Sequence, residues 1–160
     1  MQTIGIVIPY FGKKPPLYEV WEQTAIYNST VDFYLFTDIE EIKEKQNIHV
    51  IRQSFHEYRK LIQKVIDFKI CLNSPYKICD YRPTFGLAFS KWIGNYDFGG
   101  YCDLDMMLGD LRKFFTEDIL RKAERCLANG HISLWKNTNR MNNIFRFQEN
   151  GGDCPKTRII

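Results

Sequence analysis

Short apolar runs alternate along the chain with longer segments in which apolar residues recur every three or four positions. Runs of four or five residues suit strands that are covered on both faces, as in a parallel sheet. The predicted strands span 4–8, 33–36, 48–51, 98–102 and 131–135.

Four of the longer segments have helical spacing. The second opens with Ser54 and Glu57, a pair that can form a capping box, and carries the longest apolar stripe. Thr84 and Thr116 are the predicted N-caps of the third and fourth helices. The predicted helices span 16–28, 55–72, 85–93 and 117–128, with stops at 73–75, Gly94 and Asn129-Gly130.

The alternation of strands and helices predicts one α/β domain over 1–147 with a largely parallel sheet, followed by a poorly defined tail at 148–160. The 160 residues suffice for a single core. The net charge is +3 and the basic residues are scattered, which argues against a nucleic-acid partner.

The five cysteines have no C-x-x-C spacing, which favours reduced, mostly buried thiols in a cytoplasmic protein over a zinc site or a disulfide framework. The N-terminus has no charged leader, and its apolar run is too short for a membrane span. We therefore expect a cytoplasmic protein, with peripheral contact at the inner face of the membrane left open.

Two acidic residues directly follow the fourth predicted strand. Asp103 and Asp105 are one residue apart, so in an extended segment both point to the same side. Two such carboxylates can share a divalent cation whose remaining ligands are phosphates. With ten Asp in the chain, roughly half an Asp-x-Asp pair is expected by chance, so turn or capping acids are the alternative.

Two further candidate segments also follow strands, and ligands of such sheets bind beyond the carboxyl ends of the strands. In the loop 9–13, Tyr10 or Phe11 could stack on a nucleotide base, with Gly12 allowing close backbone approach. A tight turn with packed aromatic rings is an equal alternative. Thr37 and Asp38 end the second strand and belong to the same predicted edge.

The charged segment before the third helix supplies three more candidates. Lys77 and Arg82 could balance phosphate charge, and Asp80 could accept a hydrogen bond from a sugar hydroxyl. The alternative is a surface ion cluster at the start of a helix. The presence of the Asp103/Asp105 pair favours the ligand site over this alternative.

Several phosphate and metal motifs are absent from the sequence. Met107 and Leu108 stand where a calcium-binding EF-hand loop requires an oxygen ligand and a glycine. The chain contains neither G-x-x-x-x-G-K-[ST] nor G-x-G-x-x-G, which disfavours P-loop and dinucleotide-binding proteins. The Asp pair of a haloacid dehalogenase-type phosphatase would follow the first strand, whereas Asp103 and Asp105 follow the fourth predicted strand.

Four segments together resemble bacterial glycosyltransferases of the GT-A fold, in particular those of capsular and lipopolysaccharide synthesis. They read I-x-I-V-I-P-Y-F-G, F-Y-L-F-T-D, P-Y-K-I-C-D-Y-R-P and Y-D-F-G-G-Y-C-D-L-D. The resemblance covers about residues 3 to 147. It implies a Rossmann-like nucleotide-diphospho-sugar transferase sheet flanked by helices.

The resemblance also implies a nucleotide-diphosphate sugar as donor, a divalent cation (Mn²⁺ or Mg²⁺), and a saccharide or lipid-linked acceptor. Asp103 and Asp105 match the carboxylates that contact metal and ribose. Asp80 and Arg82 match polar residues of the donor site, and Tyr10 lies in the loop that meets the base.

GT-A enzymes usually continue past this point with an acceptor site, a further metal ligand and, in inverting members, a catalytic base. The chain ends at Ile160, so a donor-binding half with an exposed apolar patch and self-association is one expectation. An inactive nucleotide-sugar-binding or interaction module is the second hypothesis, and a structural α/β domain with an incidental Asp pair is the third.

Overall fold

The computed structural model describes residues 1–146, so the predicted tail at 148–160 lies outside the described residues. Within them the chain forms a six-stranded mixed sheet flanked by helices. The strands are β1 Ile4–Pro9, β2 Val31–Thr37, β3 Ile48–Arg52, β4 Phe98–Cys102, β5 Arg125–Cys126 and β6 Ile132–Lys136.

The strand order across the sheet is β3-β2-β1-β4-β6-β5. The first four strands in this order are parallel, as the continuous apolar runs predict. Strand β6 runs antiparallel to β4, and β5 runs antiparallel to β6. The prediction of an α/β fold with a largely parallel sheet is confirmed, but the sequence pattern did not predict the antiparallel direction of β6.

The helices are short after the first two. They are α1 Tyr18–Tyr27, α2 Phe55–Gln63, α3 Phe85–Ala88, α4 Ser90–Ile93, α5 Leu111–Phe114, α6 Glu117–Lys122 and α7 Asn139–Asn142, with 3-10 helices at Pro75–Thr84 and Ile144–Arg146. Among the described residues, no helix is both long enough and apolar enough to cross a membrane.

The sheet separates two apolar cores, because successive side chains of each strand point to opposite faces. Ile6 and Ile8 of β1 pack in the core that also holds Trp21 of α1. Val7 lies on the other face, in the core that also holds Tyr58 of α2 and Phe89. Burial on both faces explains why β1 is a continuous apolar run rather than an alternation of apolar and polar residues.

The second helix is shorter than its apolar stripe predicts. The capping box of Ser54 and Glu57 is confirmed, but α2 ends at Gln63 rather than at 72. The Gln63 side chain donates to the carbonyl oxygens of Ile66 and Phe68 and accepts from the backbone N–H of Ile70. These bonds hold the chain in a turn, so the prediction for 64–72 was wrong.

The segment that follows also differs from the prediction. Pro75 does not stop a helix but begins the 3-10 helix that runs to Thr84. The Thr84 hydroxyl donates to the Tyr81 carbonyl oxygen instead of capping α3. The predicted helix at 85–93 is broken at Phe89, whose φ of −106° and ψ of 14° leave the helical region.

The fourth predicted helix is also shorter than expected. Its cap is confirmed, because Thr116 accepts from the backbone N–H of Ile119. The helix ends at Lys122, and β5 replaces its predicted last turns. The short helix α5, capped by Asp110, was not predicted.

The described cysteines are free, as expected, but only half of them are buried. Cys102 and Cys126 are buried, and Cys71 and Cys79 are exposed. The prediction of mostly buried thiols is therefore correct for the two cysteines in strands only.

The glycine pair of β4 accommodates β6. A Cβ on Gly99 would lie 2.7 Å from the Trp135 ring, and one on Gly100 would meet the Leu134 side chain and lie 2.9 Å from the Ser133 carbonyl oxygen. A glycine pair within a strand often marks close approach by another backbone or by a ligand. The neighbouring strand, not a ligand, makes this close approach.

We expect Gly100→Ala to lower the free energy of unfolding by about 1–3 kcal/mol, the usual cost of overpacking a core. Urea denaturation would measure this loss. Gly109→Ala is the matched control, because its Cβ meets no atom within 4 Å, and it should change stability by less than about 0.5 kcal/mol. Equal stabilities of the two variants would contradict the close packing of β4 against β6.

Candidate metal and nucleotide site

A cavity of about 500 Å³ opens at the carboxyl ends of β1 and β4. Three segments wall it: the loop after β1, the 3-10 helix Pro75–Thr84, and the segment after β4. The lining residues are Ile8, Pro9, Tyr10, Phe11, Pro15, Pro75, Tyr76, Ile78, Cys79, Arg82, Cys102, Asp103, Leu104, Asp105 and His131. The cavity lies at the edge of the sheet that the sequence predicted.

The two carboxylates after β4 reach the same cavity. Leu104 lies between them, and its side chain is buried in the core beside α1. The side chains of Asp103 and Asp105 face the cavity instead. Asp105 is exposed and forms no hydrogen bond or ion pair within the part of the chain that the structure describes. Its oxygens are therefore available to a ligand.

His131 completes this group, and the sequence analysis missed it. Strands β4 and β6 pair with Cys102 opposite Ile132, so the next residues outward, Asp103 and His131, also face each other. The Asp103 N–H donates to the His131 carbonyl oxygen at 2.9 Å, and His131 Nδ1 lies 2.9 Å from Asp103 Oδ2. One ligand atom from each of Asp103, Asp105 and His131 lies within 4.8 Å of the others.

These three side chains fit a divalent cation. Carboxylate oxygens suit Mg²⁺ and Mn²⁺, and an imidazole nitrogen moves the preference from Mg²⁺ towards transition metals such as Mn²⁺. Cys102 also lines the cavity, but burial raises the pKa of its thiol well above the ordinary value. The Cys102 thiol is also not among the ligand atoms that converge in the described residues, so the set consists of two oxygens and one nitrogen.

Arg82 joins the acidic group from the opposite wall. Its guanidinium contacts Asp103 Oδ1 and lies over the Tyr101 ring, 4.2 Å from the centroid. The position follows from the 3-10 helix, in which residues three apart eclipse each other. Tyr76, Cys79 and Arg82 therefore share the face that lines the cavity.

The same periodicity places two predicted residues elsewhere. Lys77 and Asp80 lie three apart on another face of the 3-10 helix and form an exposed ion pair with a 3.5 Å Nζ to Oδ2 distance. Neither is among the residues that line the cavity. In the structure, Lys77 and Asp80 therefore form a surface ion pair, which was the alternative to a ligand site.

The two aromatic residues of the loop after β1 have different surroundings. Tyr10 is half-buried and lines the cavity. The Phe11 ring is buried against Phe55 and Tyr58, with centroid distances of 5.6 and 5.4 Å. Phe11 thus packs in the core, and Tyr10 is the aromatic residue of this loop that could meet a base.

The remaining predicted residues support this loop. Asp38 Oδ1 accepts from the Gly12 N–H at 3.0 Å, and Gly12 has a φ of 108°, which favours glycine. Thr37 is buried, and its hydroxyl oxygen accepts from the Ile39 N–H. Neither Thr37 nor Asp38 is among the residues that line the cavity.

Tyr76 is a second residue that the sequence analysis did not single out. Its side chain lines the cavity and is 86% exposed, the largest value among the large apolar side chains of the described residues. Tyr76 can therefore offer a ring face to a ligand in the cavity.

The chain belongs to a family of unknown function, DUF6625, whose profile matches residues 6–157. No curated protein matches the chain. Membership of this family therefore assigns no activity to the chain.

We expect His131→Ala to weaken Mn²⁺ binding about tenfold, equal to about 1.4 kcal/mol, because one of three ligand atoms is lost. Electron paramagnetic resonance of free Mn²⁺ would measure it, and Mg²⁺ binding should fall less. His56→Ala, an exposed histidine on α2, is the control. Unchanged Mn²⁺ affinity in His131→Ala would remove the imidazole from the ligand set.

Proposed function

We propose that this protein is a metal-dependent glycosyltransferase, or the donor-binding half of one, that uses a nucleotide-diphosphate sugar in surface polysaccharide synthesis. The observation that carries the proposal is the group of Asp103, Asp105 and His131, with ligand atoms within 4.8 Å, in a cavity at the carboxyl edge of the sheet. The resemblance of four sequence segments to GT-A glycosyltransferases supports the same assignment.

The walls of the cavity offer separate partners for the cation, the diphosphate and the base of such a donor. The carboxylates and imidazole would hold the cation, and the Arg82 guanidinium on the opposite side would bind the diphosphate in its fork geometry. Tyr10 offers a ring to the base from the loop after β1. A cavity of about 500 Å³ is in the range of small-molecule and cofactor sites.

The cation, when bound, supplies Lewis-acid stabilisation of charge on the departing diphosphate. The protein's own contribution is to place Asp103 and Asp105 on one side of the chain, to hold His131 by strand pairing, and to orient the diphosphate with Arg82. We assign no catalytic base. The proposed acceptor is a saccharide or a lipid-linked glycan, which fits a cytoplasmic protein that meets the inner face of the membrane.

We expect Mn²⁺ and UDP or GDP to stabilise the protein jointly in thermal unfolding, by more than the sum of their separate effects. At a hundredfold the dissociation constant, the ligands should add about 2.7 kcal/mol. Asp105→Asn should abolish most of this joint shift, because the amide keeps the shape of the side chain and removes its charge.

The control for this prediction is Asp118→Asn, the same change at an exposed aspartate on α6, which should keep the full shift. Wild-type protein without a joint shift would refute the nucleotide and metal site. A full shift in Asp105→Asn would place the cation elsewhere. Release of UDP or GDP from nucleotide sugars then tests transfer chemistry, and joint binding without any release or transfer would favour the inactive binding module.

We expect Tyr10→Leu to weaken UDP or GDP binding by about 5- to 150-fold, since stacking of a base on an aromatic ring contributes about 1–3 kcal/mol. Leucine keeps apolar bulk against the core that Tyr10 touches, so folding is spared, and Tyr10→Phe should bind as wild type does. Calorimetry beside a denaturation curve measures both effects. If Tyr10→Leu leaves the affinity for UDP or GDP unchanged and Tyr76→Leu lowers it, the base stacks on Tyr76 of the 3-10 helix rather than on Tyr10.

A further inference from the structure

Both oxygens of Asp103 already have partners within the protein. Arg82 contacts Oδ1 and His131 contacts Oδ2. The Arg82 guanidinium also lies over the Tyr101 ring, 4.2 Å from its centroid, beside the carboxylate. One of the two carboxylates proposed to bind a cation is therefore paired with a permanent positive charge, because arginine stays protonated in proteins.

A divalent cation at Asp103 would compete with this arrangement. The cation needs oxygen lone pairs that Arg82 now uses, and a guanidinium that remained in contact would repel it at short range in a partly buried site. His131 and Asp105 do not offset this, since one is neutral or positive and the other supplies a single carboxylate. Binding of the cation alone is thus opposed by Arg82.

A diphosphate removes this opposition. Its negative oxygens can lie between the cation and the guanidinium, and the arginine fork matches phosphate geometry. Movement of the Arg82 guanidinium away from the diphosphate is unfavourable. The smaller adjoining cavity that it also borders contains Arg125, which is held by the Ala128 carbonyl oxygen and the Ser133 hydroxyl. Like charge on that side favours movement towards the diphosphate.

We propose that Arg82 is a positioning residue that makes the cation and the nucleoside diphosphate bind as one coupled event, by holding Asp103 until a diphosphate takes its place as partner. This inference rests on the proposed function. Coupling between two ligands is reciprocal, so UDP must tighten Mn²⁺ binding by the same factor as Mn²⁺ tightens UDP binding. Arg82 makes both factors large by penalising the cation alone.

The test is a titration of Mn²⁺ into wild type and Arg82→Gln, each with and without UDP, followed by electron paramagnetic resonance. We expect UDP to tighten Mn²⁺ binding at least about tenfold in wild type, within the usual range for coupled ligands. Arg82→Gln should bind Mn²⁺ alone about tenfold more tightly than wild type, and UDP should then change its Mn²⁺ affinity less than about threefold.

Two further variants complete the test. Arg121→Gln removes the same charge from an exposed Arg–Asp pair on α6, outside the residues that line the cavity, and should behave as wild type. Arg82→Lys keeps the charge without the fork, and should bind Mn²⁺ alone as weakly as wild type with less enhancement by UDP. It carries the test if Arg82→Gln does not fold.

The outcomes separate this inference from the proposed function. Joint binding in wild type that persists in Arg82→Gln, or Mn²⁺ affinity of Arg82→Gln no higher than that of wild type, would overturn the role of Arg82 and leave the proposed function standing. Absence of any joint effect in wild type would overturn both.

Discussion

The antiparallel pairing of β4 with β6 is the constraint on which the cavity depends. With Cys102 opposite Ile132, this register brings His131 to Asp103 across the edge of the sheet. Close approach of the two strands requires the absence of side chains at Gly99 and Gly100. A shift of one residue in the register would turn the side chains of β6 to the opposite face.

The same pairing ties the site to the second core. Trp135 of β6 packs over Gly99, and its indole N–H donates to Asn142 Oδ1 at 3.0 Å. Asn142 Nδ2 in turn donates to Asn137 Oδ1, so α7 and the end of β6 are held together. The end of β6 away from His131 is thus anchored by side-chain hydrogen bonds, and His131 lies just before the strand, where its carbonyl oxygen accepts from the Asp103 N–H.

Asp103 is the point where the charges of the cavity meet. It is partly buried, and Arg82 and His131 satisfy its oxygens from two different walls. Asp105 is exposed and has no partner among the described residues. The two carboxylates therefore have different roles, since the first is embedded in a network and the second remains open to a ligand.

The sequence alone determined the features that depend on near neighbours. The apolar runs predicted the positions of the five main strands, the Ser54–Glu57 pair predicted the start of α2, and alternation in an extended chain predicted that Asp103 and Asp105 reach one cavity. These features follow from backbone periodicity and from hydrogen bonds that span three residues. The helix ends were predicted less well, because the side-chain contacts of Gln63 and Thr84 decided them.

Only the tertiary structure determined the partners of Asp103. His131 lies 28 residues from Asp103 along the chain, and its place depends on the direction and register of β6, which no local pattern encodes. Arg82 reaches Asp103 because its segment forms a 3-10 helix, whose threefold repeat turns Lys77 and Asp80 away from the cavity. Strand pairing and helix type depend on packing across the whole sheet, so they cannot be read from the spacing of charged residues.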